Sequence, residues 1–245
     1  MFDKLPPAAA LAKRLALPSV VTFESVGSTL DEAHVLAARG APAGTLVVAD
    51  AQTAGRGRQG RVWRSEPGAG LWLTLIERPT DAAALDVLSL RVGLSLAPAL
   101  DAFAETPVSL KWPNDLYVGS RKLAGILVEA RWRDSRPEWV AIGVGVNVRT
   151  PAGEPNATGL RDSTSRLDVL DAIIPAIRRA ATRVGPLTDD ERNAFSARDL
   201  AAGRRCTDPL PGIVSGIDAS GALLVRSTEG VVAVRAGSLV LTEAL

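Results

Sequence analysis

The sequence predicts an α+β domain followed by a small all-β unit. Two observations predict this. Apolar runs of strand length and stretches of helical periodicity share most of the chain. After about Gly203 only short strands separated by turn signals remain. The 245 residues suit one domain of roughly 200 residues plus a small appendage. We place the boundary so that residues 1–202 form the first unit and residues 203–245 the second.

Taken in order, Ala8 to Leu17 predicts a short helix stopped by Pro18, and Val20 to Val26 a strand. Thr29-Leu30-Asp31-Glu32 fits a capping box with Thr29 as the cap, and Asp31 to Arg39 then reads as a helix closed by Gly40. Thr45 to Ala51 is a strand, Gln52 to Gly68 an irregular glycine- and arginine-rich loop, and Leu71 to Glu77 the next strand. Leu85 to Phe103 predicts one long helix, with Pro98 near its end or kinking it. Val108 to Lys111, Leu116 to Val118 and Lys122 to Trp132 are strands joined by short turns, so they should pair antiparallel. Trp139 to Val148 is a further strand, and Ser165 to Val184 and Asp189 to Asp199 are helices. Ile213-Val214, Ala222 to Val225, Val231 to Val234 and Leu239 to Leu241 are the short strands of the final unit, which has the size of an SH3-like barrel.

Composition excludes several chemistries. One cysteine, Cys206, rules out an intramolecular disulfide and a cysteine metal cluster. One histidine, His34, rules out a multi-histidine zinc site and argues against a histidine-based triad. The net charge of +1 argues against nucleic-acid binding by an overall basic field. Met1-Phe2-Asp3-Lys4-Leu5-Pro6-Pro7 carries an acid and prolines where a leader would be apolar, and no stretch is long and apolar enough to span a bilayer. The expectation is a cytoplasmic protein without membrane contact.

Four motifs carry chemistry. The first is Gly55-Arg56-Gly57-Arg58-Gln59-Gly60-Arg61. Its glycines allow close backbone approach and its arginines offer forked donors, a combination suited to a phosphate or carboxylate ligand, to nucleic-acid phosphates, or to a flexible basic surface. Trp63 follows, placed either to stack on a base or to pack beneath the loop. The second is Lys111-Trp112-Pro113-Asn114-Asp115, a tight turn bearing an ammonium, an amide and a carboxylate. In the third, Lys122 opens the apolar run up to Glu129, either as a point charge at the mouth of a buried strand or as an ordinary flanking lysine. In the fourth, Gly143-Val144-Gly145-Val146-Asn147, the amide of Asn147 needs partners from a turn, a cap or a ligand.

In this order, with Gln52 before the first, these blocks closely resemble those of biotin–protein ligases over roughly residues 20 to 150. The resemblance implies a mixed, largely antiparallel sheet with helices packed on one side, plus a C-terminal SH3-like β-barrel. It implies activation of biotin by ATP and Mg²⁺ to biotinyl-5′-AMP, then transfer to a lysine of a biotin carboxyl carrier protein domain. Residue by residue, it implies that Lys122, Arg58 and Asp115 are catalytic. Ser28, Thr29, Gln52, Gly55, Arg56, Gly57, Arg58 and Lys122 would bind biotin. Arg58, Arg61, Trp63, Lys111, Asn114, Lys122 and Asn147 would bind the nucleotide. No direct protein ligand to a metal is assigned. Leu30 departs from the pattern, standing where the family commonly has Asn. A carboxylate is already a nucleophile at neutral pH, so a site rich in Arg and Lys and poor in His suits this chemistry.

The full glycine–arginine loop followed by Lys111 to Asp115 argues against a lipoate or octanoate ligase, which shares a related fold. The near-neutral charge argues against a non-enzymatic nucleic-acid module. About twenty residues precede the first strand, too few for a three-helix DNA-binding module, so no DNA partner is expected. A monomer and a homodimer are both compatible with the sequence.

Overall fold

A computed structural model describes residues 4–242; residues 1–3, part of the leader argument, lie outside it. The chain forms a seven-stranded sheet and a five-stranded sheet. The large sheet has the order β1-β2-β3-β7-β6-β5-β4, built from β1 (Ser19–Val26), β2 (Thr45–Gln52), β3 (Gly70–Glu77), β4 (Ser109–Lys111), β5 (Asp115–Val118), β6 (Arg121–Arg133) and β7 (Arg136–Asn147). Only β1 and β2 run parallel, and the helix α2 (Thr29–Ala38) connects them, as a parallel pair requires. All other pairs are antiparallel. The sheet is therefore mixed and largely antiparallel, as expected.

β6 and β7 form the long central hairpin. Its two-residue turn, Asp134-Ser135, has positive φ at both positions (48° and 63°), the geometry that matches strand twist. Their pairing sets Gly125 opposite Gly145 and Ile126 opposite Val144.

Helices cover both faces. The helices α4 (Leu88–Asp101) and α5 (Arg166–Ala181) pack together on the face that presents Leu46, Val48, Leu71, Leu73 and Leu75. Alternate residues of the same strands point the other way, and α2 packs there through Leu30, Ala33 and Ala37 against Val47, Ile76 and Ala141. The expectation of helices on one side thus holds for α4 and α5 and fails for α2, whose apolar residues match the opposite parity of β2 and β3.

Three local expectations also change. The first helix, α1 (Ala8–Arg14), is shorter than expected, and Ala16 takes a positive φ of 51° before Pro18. The expected long helix is two: α3 (Ala83–Asp86) and α4, separated at Val87, whose φ of −108° and ψ of 1° leave the helical region while its side chain stays buried. Pro98 is retained within α4. Thr29 is not the cap of α2. Ser28 is, and its Oγ accepts from the Leu30 N–H at 3.3 Å. A reciprocal capping box forms instead at Thr188 and Glu191, at the start of α6 (Asp189–Ser196).

The C-terminal sheet has the order β11-β10-β9-β8-β12, from β8 (Arg205–Asp208), β9 (Gly212–Ile217), β10 (Leu223–Ser227), β11 (Gly230–Val234) and β12 (Val240–Leu241). The strand β8 has no apolar run of its own and forms by pairing with β9 and β12. Among the described residues no ladder joins β12 to β11, so this unit is a five-stranded antiparallel sheet. It meets the large domain where the Trp112 Nε1–H donates to the Gly221 carbonyl at 3.0 Å.

The chain reaches this unit through residues 198–200, which pair with β4: the Leu110 N–H donates to Arg198 O at 2.8 Å and the Leu200 N–H to Leu110 O at 2.9 Å. Here Asp199 Oδ1 accepts from the Ala201 N–H at 2.9 Å, while Oδ2 is buried without a partner. Burial pushes the Asp199 carboxyl up to about 6, against the pull of the Ala201 and Ala202 N–H groups. A folded value above the ordinary 3.8 means that its contribution to stability is present below about pH 4 and lost as pH rises through about 6. Asp199→Asn should therefore leave stability unchanged near pH 4 and raise it by on the order of 1–2 kcal/mol at pH 7.5, measured by urea unfolding at both pH values.

Candidate active site

A cavity of about 290 Å³ opens on the α2 face of the large sheet, beneath the Gly55–Arg61 segment. Its floor is a patch without side chains. Gly125 on β6 and Gly145 on β7 pair across the central hairpin, and the indole of Trp63 rests on both. A Cβ on Gly145 would stand 2.5 Å from Trp63, and one on Gly125 2.9 Å. Trp63 also meets Trp72 edge-on, with ring centroids 6.3 Å apart, and its buried Nε1 has no hydrogen-bond partner.

One group of polar residues comes from the start of α2 and the ends of β2 and β3. The Thr29 N–H and O–H both donate to Gln52 Oε1, at 2.9 and 3.1 Å, and the Thr29 hydroxyl lies 3.0 Å from that of Thr74. Gln52 Nε2–H donates to Ser65 Oγ at 2.8 Å. The carbonyl end of the Gln52 amide is thereby saturated, and its amino end keeps one N–H for a ligand. Leu30 and Leu127 add apolar wall here.

The loop is more ordered than its composition predicts. Arg56 bridges to Val62 and Gln52 to Ser65, so residues 52–65 fold back on themselves around a 3₁₀ turn at Arg58–Gly60. Gln59 and Gly60 take positive φ (56° and 72°) at the tip. Gly55 is required for packing: a Cβ there would lie 2.3 Å from the Trp63 carbonyl. It does not line the cavity. Gly57 does line it, with its N–H bonded to Arg61 O at 2.8 Å. The arginines diverge. The Arg56 side chain turns to Asp31 and Glu129. Arg58 bonds Asn114 Oδ1 and Gly237 O, each at 3.3 Å. Arg61 bonds Gln59 Oε1 at 3.0 Å and Ser238 Oγ.

A second group surrounds one carboxylate. Lys122 Nζ lies 2.8 Å from Asp115 Oδ1 and 5.2 Å from the Trp63 ring centre. The β5–β6 ladder shifts register between Leu116 and Tyr117, so Lys122 pairs with Tyr117 while Gly125 pairs with Asp115. The Lys122 backbone is pinned from outside by Asn156 and Thr158. Lys111 lies with its Nζ 5.5 Å from the Tyr117 ring centre. Burial is the main cause that lowers the Lys111 pKa; Asp115 opposes it, and Lys122, Arg204 and Arg61 reinforce it. Burial likewise lowers Arg58, and pushes the Tyr117 phenol up to about 12. Asn114 is oriented by its Nδ2–H bond to the Ile126 carbonyl at 2.7 Å.

The structure thus gathers Ser28, Thr29, Gln52, Arg56, Gly57, Arg58, Arg61, Trp63, Lys111, Asn114, Asp115 and Lys122 around one cavity. Asn147 is buried at the end of β7, opposite Gly70, and does not line it. It shares the parity of Gly143 and Gly145, but lies past the end of the floor. Sequence reasoning missed Gly125, Gly143 and Gly145 as floor, and Ser238 and Leu239 as wall. The alternation Gly143-x-Gly145 was the available signal for the floor; nothing local marks Ser238. Among the described residues no group of three His, Cys, Asp or Glu side chains could hold a metal ion. No helix among them is long and apolar enough to cross a membrane.

The cavity thus joins an uncharged end, lined by Ser28, Thr29, Gln52, Leu30 and Leu127, to an end crowded with Arg58, Arg61, Lys111 and Lys122. The family model described as the Biotin/lipoate A/B protein ligase family matches residues 23–147, and the chain belongs to that family. It is 35% identical over 239 residues to the biotin–[acetyl-CoA-carboxylase] ligase of Mycobacterium tuberculosis, covering 87% of this chain and 85% of that one. It is 41% identical over 130 residues to the bifunctional ligase/repressor BirA of Bacillus subtilis, where the match spans 53% of this chain and only 40% of that protein. The biotin protein ligase of Aquifex aeolicus, solved in complex with biotin and ATP, superposes with a TM-score of 0.75 at 25% identity, covering 93% of this chain and 100% of that one.

Gly145→Ala should displace Trp63 without unfolding the sheet. The expected outcome is a changed tryptophan fluorescence spectrum with far-UV circular dichroism retained. An unaltered fluorescence spectrum would mean that Trp63 does not rest on this glycine.

Proposed function

We propose that this chain activates biotin with ATP to biotinyl-5′-AMP and transfers the biotin to a lysine of a biotin carboxyl carrier protein domain. The observation that carries the proposal is the placement of Lys122, Arg58 and Lys111 around Asp115 at one end of a cavity whose other polar group is Ser28, Thr29 and Gln52. The family and the biotin ligases named above support it. On this reading residues 1–202 are the catalytic unit, and residues 203–245 are an appended unit that adds Ser238 and Leu239 to the edge of the site.

In the first step a biotin carboxylate oxygen attacks the α-phosphorus, the bond to the pyrophosphate oxygen breaks, and pyrophosphate leaves with both electrons of that bond. No general base is needed. Negative charge crowds around the α-phosphate, and Lys122 and Arg58 are placed to offset it in a site partly shielded from water. Lys111 and Arg61 add positive charge on the nucleotide side, and Trp63 offers an indole face to the adenylate. The remaining N–H of Gln52, with Ser28 and Thr29, meets the ureido ring. In the second step the acceptor amine attacks the acyl carbon, the amide forms, and AMP and one proton leave. Asp115 attracts the acceptor lysine as it arrives in its ammonium form, which gives one further proton to solvent to become the attacking amine. Mg²⁺ would supply charge neutralisation on the phosphates, and Asp115, the one carboxylate among the described residues that line the cavity, would hold it.

Protein mixed with ATP, Mg²⁺ and biotin should yield biotinyl-AMP by mass spectrometry. Formation of an adenylate with lipoate and none with biotin would replace biotin as the substrate. Lys122→Ala should slow adenylate formation about a hundredfold in single-turnover assays, as loss of a roughly 3 kcal/mol charge stabiliser implies. Arg58→Ala should speed release of biotinyl-AMP, read by chase with unlabelled ligand; unchanged release would remove its clamping role.

A further inference from the structure

Arg56 stands in the glycine–arginine loop, yet its guanidinium is turned away from the cations around Asp115. Nη1 donates to Asp31 Oδ1 at 2.6 Å and Nη2 to Glu129 Oε1 at 2.5 Å. The three residues belong to three separate elements: the loop, the first turn of α2 and the body of β6. Asp31 directly follows Leu30, and Glu129 shares a face of β6 with Leu127; Leu30 and Leu127 are the apolar wall of the cavity. The ion pairs therefore bridge the loop to both sides of that wall.

Glu129 is itself held in place. The buried Trp139 donates its Nε1–H to His34 Nδ1 at 3.0 Å. With Nδ1 accepting, the proton of the neutral ring sits on Nε2, which lies 3.1 Å from Glu129 Oε2 and donates to it. One carboxylate oxygen thus faces His34 and the other faces Arg56. A side chain fixed in this way costs Arg56 less ordering entropy than a free surface carboxylate would.

We propose that Arg56 is a latch. Its ion pairs with Asp31 and Glu129 hold the Gly55–Arg61 loop closed over the end of the cavity walled by Ser28, Thr29 and Leu30. Its guanidinium positions the loop, and the biotin contact implied by the family resemblance falls to the Arg56 backbone, which the ion pairs leave at the cavity lining. The latch rests on the proposed adenylate chemistry only for what the closed loop retains; the ion pairs themselves are contacts within the chain.

The test uses the full chain carrying Asp31→Asn and Glu129→Gln together, near-isosteric changes that remove charge at half-exposed positions. The first readout is trypsin cleavage after Arg58 and Arg61 in ligand-free protein, which follows the population of the opened loop. The expected result is cleavage about two- to fivefold faster than wild type, with an unchanged melting temperature. Arg56→Ala should match the double variant, and combining all three changes should add nothing, because they break one contact set. Moderate salt should speed cleavage in the wild type and not in the variants. Wild-type cleavage rates in the double variant would overturn the latch. So would a biotin KM raised by Arg56→Ala and left unchanged by the two acidic substitutions, since that pattern marks direct ligand contact. A second readout is the lifetime of retained biotinyl-AMP, which should shorten by a similar factor. Absence of any adenylate in the wild type would count against the proposed function and leave the cleavage result standing.

Discussion

Two glycines placed opposite each other on β6 and β7 open the site, and the rest of it is built on that gap. Gly125 and Gly145 lie in register on the α2 face of the sheet, where any side chain would collide with Trp63. The indole lies flat there because nothing rises from the strands. From that resting place Trp63 anchors the returning arm of the loop, through its own N–H to the Gly55 carbonyl at 2.9 Å. It also provides the surface over which the Lys122 ammonium stands. A close-packed interior transmits such a constraint without slack.

Electrostatics then decides what the opened space can hold. Lys111, Lys122, Arg58 and Arg61 converge on a cavity whose lining, among the described residues, contains a single carboxylate, Asp115. Burial and mutual repulsion lower the Lys111 and Arg58 pKa values, so the ligand-free site carries cationic groups that an anion would relieve. Arg56, drawn from the same short motif, is spent on two acidic partners outside this cluster. Three arginines that look equivalent in the loop thus have three different surroundings: an acidic latch, an amide with a backbone carbonyl, and a serine of the C-terminal unit.

That C-terminal unit is part of the site. Gly237 and Ser238 receive Arg58 and Arg61, and Leu239 completes the wall. Its seat on the large domain is specific: Gly221 packs against Val87 and Leu90, and its carbonyl takes the Trp112 indole proton. The break between α3 and α4 at Val87 belongs to the same contact. The β4–β5 turn that carries Asn114 and leads into Asp115 is therefore steadied from the C-terminal side as well as by its own strands.

Much of this was legible along the chain. The alternation and turn residues of β1 to β7 identify the strands, and short turns dictate antiparallel pairing among β4, β5, β6 and β7. The order of the glycine–arginine loop, Lys111 to Asp115, Lys122 and Gly143 to Asn147 is enough to mark the family. What sequence alone determined is which residue types the site commands and in what order they come. Only the tertiary structure decided which of them face one another. Gly55 serves a backbone contact eight residues away, Asn147 lies beyond the cavity, and Thr29 turns its hydroxyl to Gln52 while Ser28 caps the helix. Asp31, Glu129 and Ser238 enter the site region from distant elements and carry no local mark. The physical reason is that period and spacing fix the face on which a residue lies, whereas its partner across the fold depends on strand register and on packing between elements far apart in the chain.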